Sequence, residues 1–307
     1  MPIGAPARLI LRSLFGTAIV LVFAMCAAPA TVASPTVSAG PAVQVLGTEN
    51  FYADLLAQIG GSRVTVSSLL NDPNADPHEF EASPQVAKMV ADARLVIVND
   101  IGYDDFMQKL LSASTNPDRV VISVKDVLGV KDDVNAHVWY DPNTMPKVAD
   151  AVTAALSKLD PQNAAYFAAE KARYLAALKP MTDKIAVLKA KYSGAPVAFT
   201  EPVAEYLTDA IGLVVKTPEG FMKAIEQGTD PAPADVAAER DLLTGKKVKA
   251  LLYNSQVTSP LTASIRALAE ANGVPVVGVA ETIPPEFKTF QDWMLSQLDA
   301  LEKALAR

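Results

Sequence analysis

His78, His137, Glu201 and Glu281 are the residues whose types and places in this chain point to chemistry. The two histidines are the only ones among 307 residues, and each falls in a loop expected to follow a strand. Glu201 closes the apolar run 197–200 and is followed at once by Pro202. Glu281 closes the run 274–279 and is followed by Thr282 and then Pro284-Pro285. In open parallel sheets, ligand sites form at the carboxyl ends of strands. Two potential ligands in each half of the chain would therefore meet if the halves faced one another. Two imidazoles and two carboxylates satisfy a divalent transition metal, since imidazole nitrogen suits zinc and carboxylates favour harder ions such as manganese. Spacing alone does not establish that they converge. Taken singly, each histidine reads first as a loop side chain bonded to backbone, and each glutamate as a solvated strand end. The joint placement, and no single residue, points to a site.

Other side chains are weaker candidates. Asp72, Asp76, Glu79 and Glu81 crowd the His78 loop, where acids serve as turn formers and as anions at a helix N-terminus. Trp139, Tyr140 and Asp141 beside His137 either shield an ion and orient the imidazole or fill core. Asn99 and Asn254 end strands, where an amide can hold a ligand in place. The chain has no Gly-rich phosphate loop and no G-x-S-x-G nucleophile elbow.

The elements that must position these residues alternate. Strand patterns are expected at 43–47, 64–70, 95–98 and 120–124, with helical spacing at 51–59, 84–93, 104–111 and from 143 to about 159. Ser83-Pro84 is an N-cap followed by proline at the first helical position. Asp160-Pro161 opens a long Ala-, Leu-, Lys- and Glu-rich helix to about Tyr192, with a kink expected at Pro180. Strands at 197–200, 213–216, 248–253 and 274–279 follow, with helices between them and an amphipathic helix from Phe290 to the end. Alternation of this kind argues for an α/β fold with parallel sheets and helices on both faces. Here it makes two lobes of four strand-helix units joined by one long helix, with the cleft between them. The expected division is 1–33 export signal, 34–42 linker, 43–158 first lobe, 159–193 linking helix and 194–307 second lobe.

Composition narrows the class. Half the residues are hydrophobic and a fifth charged, as in a globular chain. The net charge of −7 offers no basic face for nucleic acid. At the N-terminus, Arg8 and Arg12 precede an apolar run and then small residues, the order of a cleavable export signal. The only cysteine, Cys26, lies within that segment and follows Met25, where lipid attachment would want a small residue; removal with the signal is expected. The mature chain would then hold no disulfide and no thiolate ligand, and its charge would be −9 after loss of the two arginines.

Several motifs in order now carry a resemblance: DPHEFEASP at 76–84, GYDDFM at 102–107, AHVWYDP at 136–142, FTEPVAEYL at 199–207 and VVGVAETIPP at 276–285. Together they resemble the solute-binding proteins of zinc and manganese ABC importers, sometimes called cluster 9, across nearly the whole mature chain. The resemblance implies two (β/α)4 lobes on a single long helix, with metal between them. It also implies His78 and His137 as first and second ligands and Glu201 as third, a position that is His in many zinc binders and Glu in many manganese binders. Glu281 stands near the fourth position, commonly Asp in the family, which is a departure. The stretch 131–136 is short and lacks the His-rich loop of many zinc members. The expected function is therefore a monomeric, periplasmic receptor, without enzymatic activity, that carries Mn2+ or Zn2+ to a membrane permease. The rival readings are a zinc-dependent hydrolase, which lacks an evident general base and an H-E-x-x-H helix, and a surface adhesin, which leaves the histidine pair unexplained.

Overall fold

Local chemistry accounts for the elements of the first lobe. β1 (Val43–Glu49) runs directly into α1 (Asn50–Gly60). Gly47 permits this, because a Cβ there would collide with the α1 backbone at Tyr52 and Ala53. β2 is Val64–Leu70 and α2 is Pro84–Asp92, the latter capped by the Ser83 hydroxyl, which accepts from the Val86 N–H, with Pro84 at the first helical position. β3 (Leu95–Val98) is a fully buried run of LVIV, as expected of a strand covered on both faces. α3 (Phe106–Ala113), β4 (Val120–Ser123), α4 (Val124–Leu128) and α5 (Thr144–Leu159) complete this half.

The computed structural model describes residues 1–4, 40–72, 80, 82–131 and 133–307. Most of the expected export signal 1–33 and of the linker 34–42, and His78 with Asp76, Glu79 and Glu81, lie outside the described residues.

The long helix is realised as α6 (Ala164–Ala177) and α7 (Lys179–Tyr192), broken at Leu178 with Pro180 in the first turn of α7. That is the kink proline imposes, since its ring cannot continue the hydrogen-bond ladder. The second half then follows. β5 is Pro196–Phe199, α8 Glu205–Ile211, β6 Val214–Val215, α9 Glu219–Glu226 and α10 Pro233–Thr244. β7 is Leu251–Asn254, α11 Pro260–Ala271, β8 Val276–Val279 and α12 Phe290–Leu305.

Two four-stranded parallel sheets result, in the orders β2-β1-β3-β4 and β6-β5-β7-β8. Each has a point where the chain reverses its direction of travel across the sheet, between β1 and β3 and between β5 and β7. Such points leave a crevice at the carboxyl ends of the strands. One expectation needs correction. His137 does not follow its strand directly, because α4 intervenes, started by the Ser123 hydroxyl accepting from the Asp126 N–H and ended by Gly129 in the left-handed conformation.

The two halves are tied by polar contacts as well as by α6 and α7. Asn50 donates through Nδ2 to Ile283 O at 2.9 Å and accepts the Ile283 N–H at 2.8 Å, so one amide mimics a strand partner. Asp54 accepts the Phe290 N–H at 2.9 Å, and Gln58 and Gln291 exchange amide hydrogen bonds. Tyr140 in the first half is fully buried, with its hydroxyl 2.7 Å from Ala280 O and 2.8 Å from Gln297 Oε1. Lys184 and Lys191 on α7 both reach Glu302 on α12.

Two predictions follow from this packing. Metal loading should leave the radius of gyration unchanged within error in solution scattering, because inter-lobe hydrogen bonds and a helical connection resist hinge opening; a clear compaction would contradict it. Glu239 on α10 is fully buried, and desolvation pushes its carboxyl up to about 7, offset in part by the Thr217 hydroxyl. An acid whose folded pKa is raised binds its proton more tightly when folded, so its contribution is present below the unfolded value and is lost as pH rises through about 7. Glu239→Gln should stabilise the protein at pH 8 by on the order of 3 kcal/mol and flatten the stability profile between about pH 4.5 and 7, read from urea melts. Equal profiles for the two proteins would refute the assignment.

Candidate metal centre

The ends of β5, β7 and β8 each contribute a side chain to the cleft floor. β5 ends at Phe199, and Thr200 and Glu201 follow; Thr200 accepts the Asn254 N–H through Oγ1 at 3.0 Å, which aligns the ends of β5 and β7. β8 ends at Val279, and Glu281 lies two residues on. His137 begins a tight turn through Val138–Tyr140, all of it buried. His137, Glu201 and Glu281 are each 0% exposed, and one ligand atom from each lies within 4.8 Å of the others. His137 Nε2 stands 3.4 Å from Glu281 Oε2. Of the four residues singled out from sequence, these three come together. His78 is outside the described residues.

Neighbouring side chains hold the carboxylates. Asn254, at the end of β7, donates through Nδ2 to Glu201 Oε2 at 2.6 Å and to Glu281 Oε1 at 2.7 Å. Its own Oδ1 accepts the Gln256 N–H at 3.0 Å, which fixes the amide orientation. Gln256 Oε1 in turn accepts the backbone N–H groups of Glu281 and Thr282. Tyr103 reaches from the other lobe and donates to Glu281 Oε2 at 2.8 Å. Burial, reinforced by the Glu281 charge, pushes the Tyr103 hydroxyl well above the phenol range, so it remains a donor.

The loop that delivers Tyr103 is built on Asp104. Its carboxylate accepts the N–H groups of Asn99 and Asp100 at 2.8 Å each, and Asp100 takes a left-handed φ of 60°. Burial raises Asp104 to about 6 despite those two bonds. Asn99 closes β3 as its counterpart closes β7: it accepts the Tyr52 hydroxyl at 2.8 Å and donates to Ala136 O at 2.8 Å, next to His137. Glu49, at the end of β1, is fully buried, and desolvation with Asp104 nearby pushes its carboxyl well above the usual range.

Trp139 is a core side chain that also contacts the imidazole. It stacks on Phe51 at 4.5 Å and lies 5.2 Å from the His137 ring, edge to face, so the imidazole has an aromatic wall. Sequence reasoning found Asn99 and Asn254 from their places at strand ends. It missed Tyr103 and Gln256, which carry no pattern of their own; Tyr103 was visible only as a letter within GYDDFM. One imidazole nitrogen and two carboxylates form a donor set for a divalent cation on the borderline between zinc and manganese chemistry.

Similarity to known proteins agrees with this arrangement. Residues 45–304 match the model of the ZnuA family, described as zinc-uptake complex component A, periplasmic. The chain is 27% identical over 170 residues to the manganese-binding lipoprotein MntA of Halalkalibacterium halodurans, a match spanning 54% of this chain and 55% of that protein. It is 22% identical over 297 residues to the manganese ABC transporter substrate-binding lipoprotein PsaA of Streptococcus pneumoniae, covering 88% of this chain and 91% of the relative. In structure it resembles the periplasmic zinc-binding protein TroA of Treponema pallidum, with a TM-score of 0.74 at 20% identity over 87% of this chain and all of the other. Parallel four-stranded sheets on each side of a helical connection, a buried cluster of His137, Glu201 and Glu281, and a family match over residues 45–304 place this chain in the ZnuA family of metal-uptake components.

Proposed function

We propose that the protein is the extracytoplasmic solute-binding component of an ABC importer, taking a divalent transition metal between its lobes and passing it to a membrane permease. His78, His137, Glu201 and Glu281 are the ligands in this reading. The observation that carries it is the convergence of His137, Glu201 and Glu281, remote in sequence, into one fully buried cluster. Two adjacent carboxylates withdrawn from water repel each other, and a dication neutralises both. Relatives named for manganese or zinc binding and for ABC transport support the same reading. Membership of an uptake-component family also tells against the hydrolase alternative.

The receptor works in the periplasm, with residues 1–33 as a cleavable export signal. Several relatives are named lipoproteins. In this chain Met25 before Cys26 disfavours lipid attachment, and Cys26 leaves with the signal. No helix among the described residues is long and apolar enough to cross a membrane. The receptor acts as a monomer and does not bind nucleic acid.

Manganese is the cargo we propose. Two histidines in the entire chain and no mature cysteine force at least two oxygen donors into any four-residue shell, and carboxylates suit manganese. Intrinsic affinity runs the other way, with zinc above manganese in the divalent series, so zinc should bind more tightly in vitro.

In calorimetry, His137→Ala and His78→Ala should each weaken metal binding by more than about 100-fold, beyond the usual cost of losing a supporting hydrogen bond, while circular dichroism stays that of the parent. Parent-like affinity in both variants would refute the ligand set. In cells lacking this protein, manganese uptake should fall while zinc uptake persists. Loss of zinc uptake alone would make zinc the cargo.

A further inference from the structure

Asn135 stands two residues before His137 and touches both lobes. Its Oδ1 accepts the His137 backbone N–H at 2.9 Å and lies 2.7 Å from His137 Nδ1. Its Nδ2 donates to Pro202 O at 2.7 Å and to Glu205 Oε2 at 2.9 Å. The amide cannot be turned over. A backbone N–H only donates and a proline carbonyl only accepts, so oxygen must face His137 and nitrogen must face Pro202. With an acceptor oxygen at 2.7 Å, Nδ1 is the nitrogen that carries the proton. In the neutral imidazole that metal binding requires, the lone pair is then on Nε2, the nitrogen 3.4 Å from Glu281 Oε2.

Glu226 and Glu205 act in the same direction, whereas the Glu281 carboxylate beside Nε2 pulls a proton the other way until a cation takes its place. Glu226 Oε1 lies 3.8 Å from Nδ1, outside hydrogen-bond range, and adds negative potential on the protonated side of the ring. Glu205 accepts from the Asn135 amide, which polarises it and strengthens Oδ1 as an acceptor. The main chain is held from both lobes: the Tyr206 hydroxyl donates to Asn135 O at 2.9 Å, and Asn99 donates to Ala136 O at 2.8 Å. Pro202, Glu205 and Tyr206 all lie just beyond Glu201, so the contacts that grip the His137 loop also belong to the segment bearing a second ligand.

We propose that Asn135 is a positioning residue that sets the Nδ1–H tautomer of His137 and latches its loop to the second lobe, so that Pro202 and Glu205 hold the imidazole in its metal-accepting form. This inference rests on the reading of His137 as a ligand. It adds a group that does not touch the metal but fixes which nitrogen meets it, as partners of metal-bound histidines commonly do.

The test uses the full mature protein and four variants, titrated with Zn2+ and Mn2+ separately. Asn135→Leu keeps the side-chain size and removes both hydrogen-bonding ends; it should raise Kd for both ions by about 10- to 100-fold. Imidazole 15N shifts of the apo protein, assigned with His78→Gln, should move from the Nδ1–H tautomer toward a mixture. A merely structural role would leave those shifts unchanged. Asn135→Asp keeps the acceptor but sets a carboxylate against Glu205, so it should preserve the tautomer and still weaken binding. Adding Glu205→Gln restores an amide donor opposite the new carboxylate and should recover most of the affinity, which also separates the latch from a folding defect. His137→Ala serves as the reference. If it binds metal like the parent, the ligand reading fails. If it loses metal while Asn135→Leu keeps the parent tautomer and a Kd within about twofold of the parent, outside the usual supporting-partner effect, the ligand reading stands and the latch is wrong.

Discussion

Two carboxylates buried side by side are the constraint around which this molecule is built. Glu201 and Glu281 are fully withdrawn from solvent, and ionised groups in such a place need compensating partners. Asn254 supplies one, with a single amide nitrogen donating to both side chains. Tyr103 supplies another from the opposite lobe. These partners are neutral donors, so they orient the carboxylates without cancelling their charge. The negative potential left over is what makes the site suited to a dication and unsuited to an apolar ligand.

Supporting residues repeat across the two lobes. Asn99 at the end of β3 and Asn254 at the end of β7 occupy corresponding places in two sheets of the same strand order. One fixes the backbone beside His137, and the other fixes two carboxylates directly. Both stand at the crevice left where the chain reverses across the sheet, the part of a parallel fold where side chains converge without an added loop. The acids of the first lobe are treated differently. Burial raises the carboxyls of Glu49 and Asp104, whereas Glu201 and Glu281 are held by direct hydrogen bonds.

Rigidity between the lobes follows from the same economy of polar groups. Asn50 bonds both backbone groups of Ile283, just after Glu281, and Tyr140 reaches Ala280, just before it. The segment carrying Glu281 is therefore gripped on both sides by the first lobe. A buried backbone group deprived of its partner costs on the order of 1–3 kcal/mol, so parting the lobes would expose several such debts at once. These contacts oppose swinging the halves apart more than they oppose movement of side chains and loops.

The sequence by itself determined the class of fold and named three of the residues that cluster in the cleft. Alternating strand and helix periods with one long Ala- and Leu-rich helix between them specify two parallel α/β lobes, because such strands must be covered on both faces. The rarity of histidine and the glutamates after apolar runs singled out His137, Glu201 and Glu281 before their contacts were known. Boundaries were less legible. The short helix α4, set by one serine cap and one glycine, separates His137 from its strand, and the strand expected at 213–216 is realised only as Val214–Val215. Only the tertiary structure decided that Asn254 spans two carboxylates, that Tyr103 crosses the cleft and that Asn135 faces His137 with its oxygen. The physical reason is that periodicity reports which face of an element is buried, whereas a hydrogen bond between distant segments depends on the angle at which two whole lobes meet, and no local stretch of sequence encodes that angle.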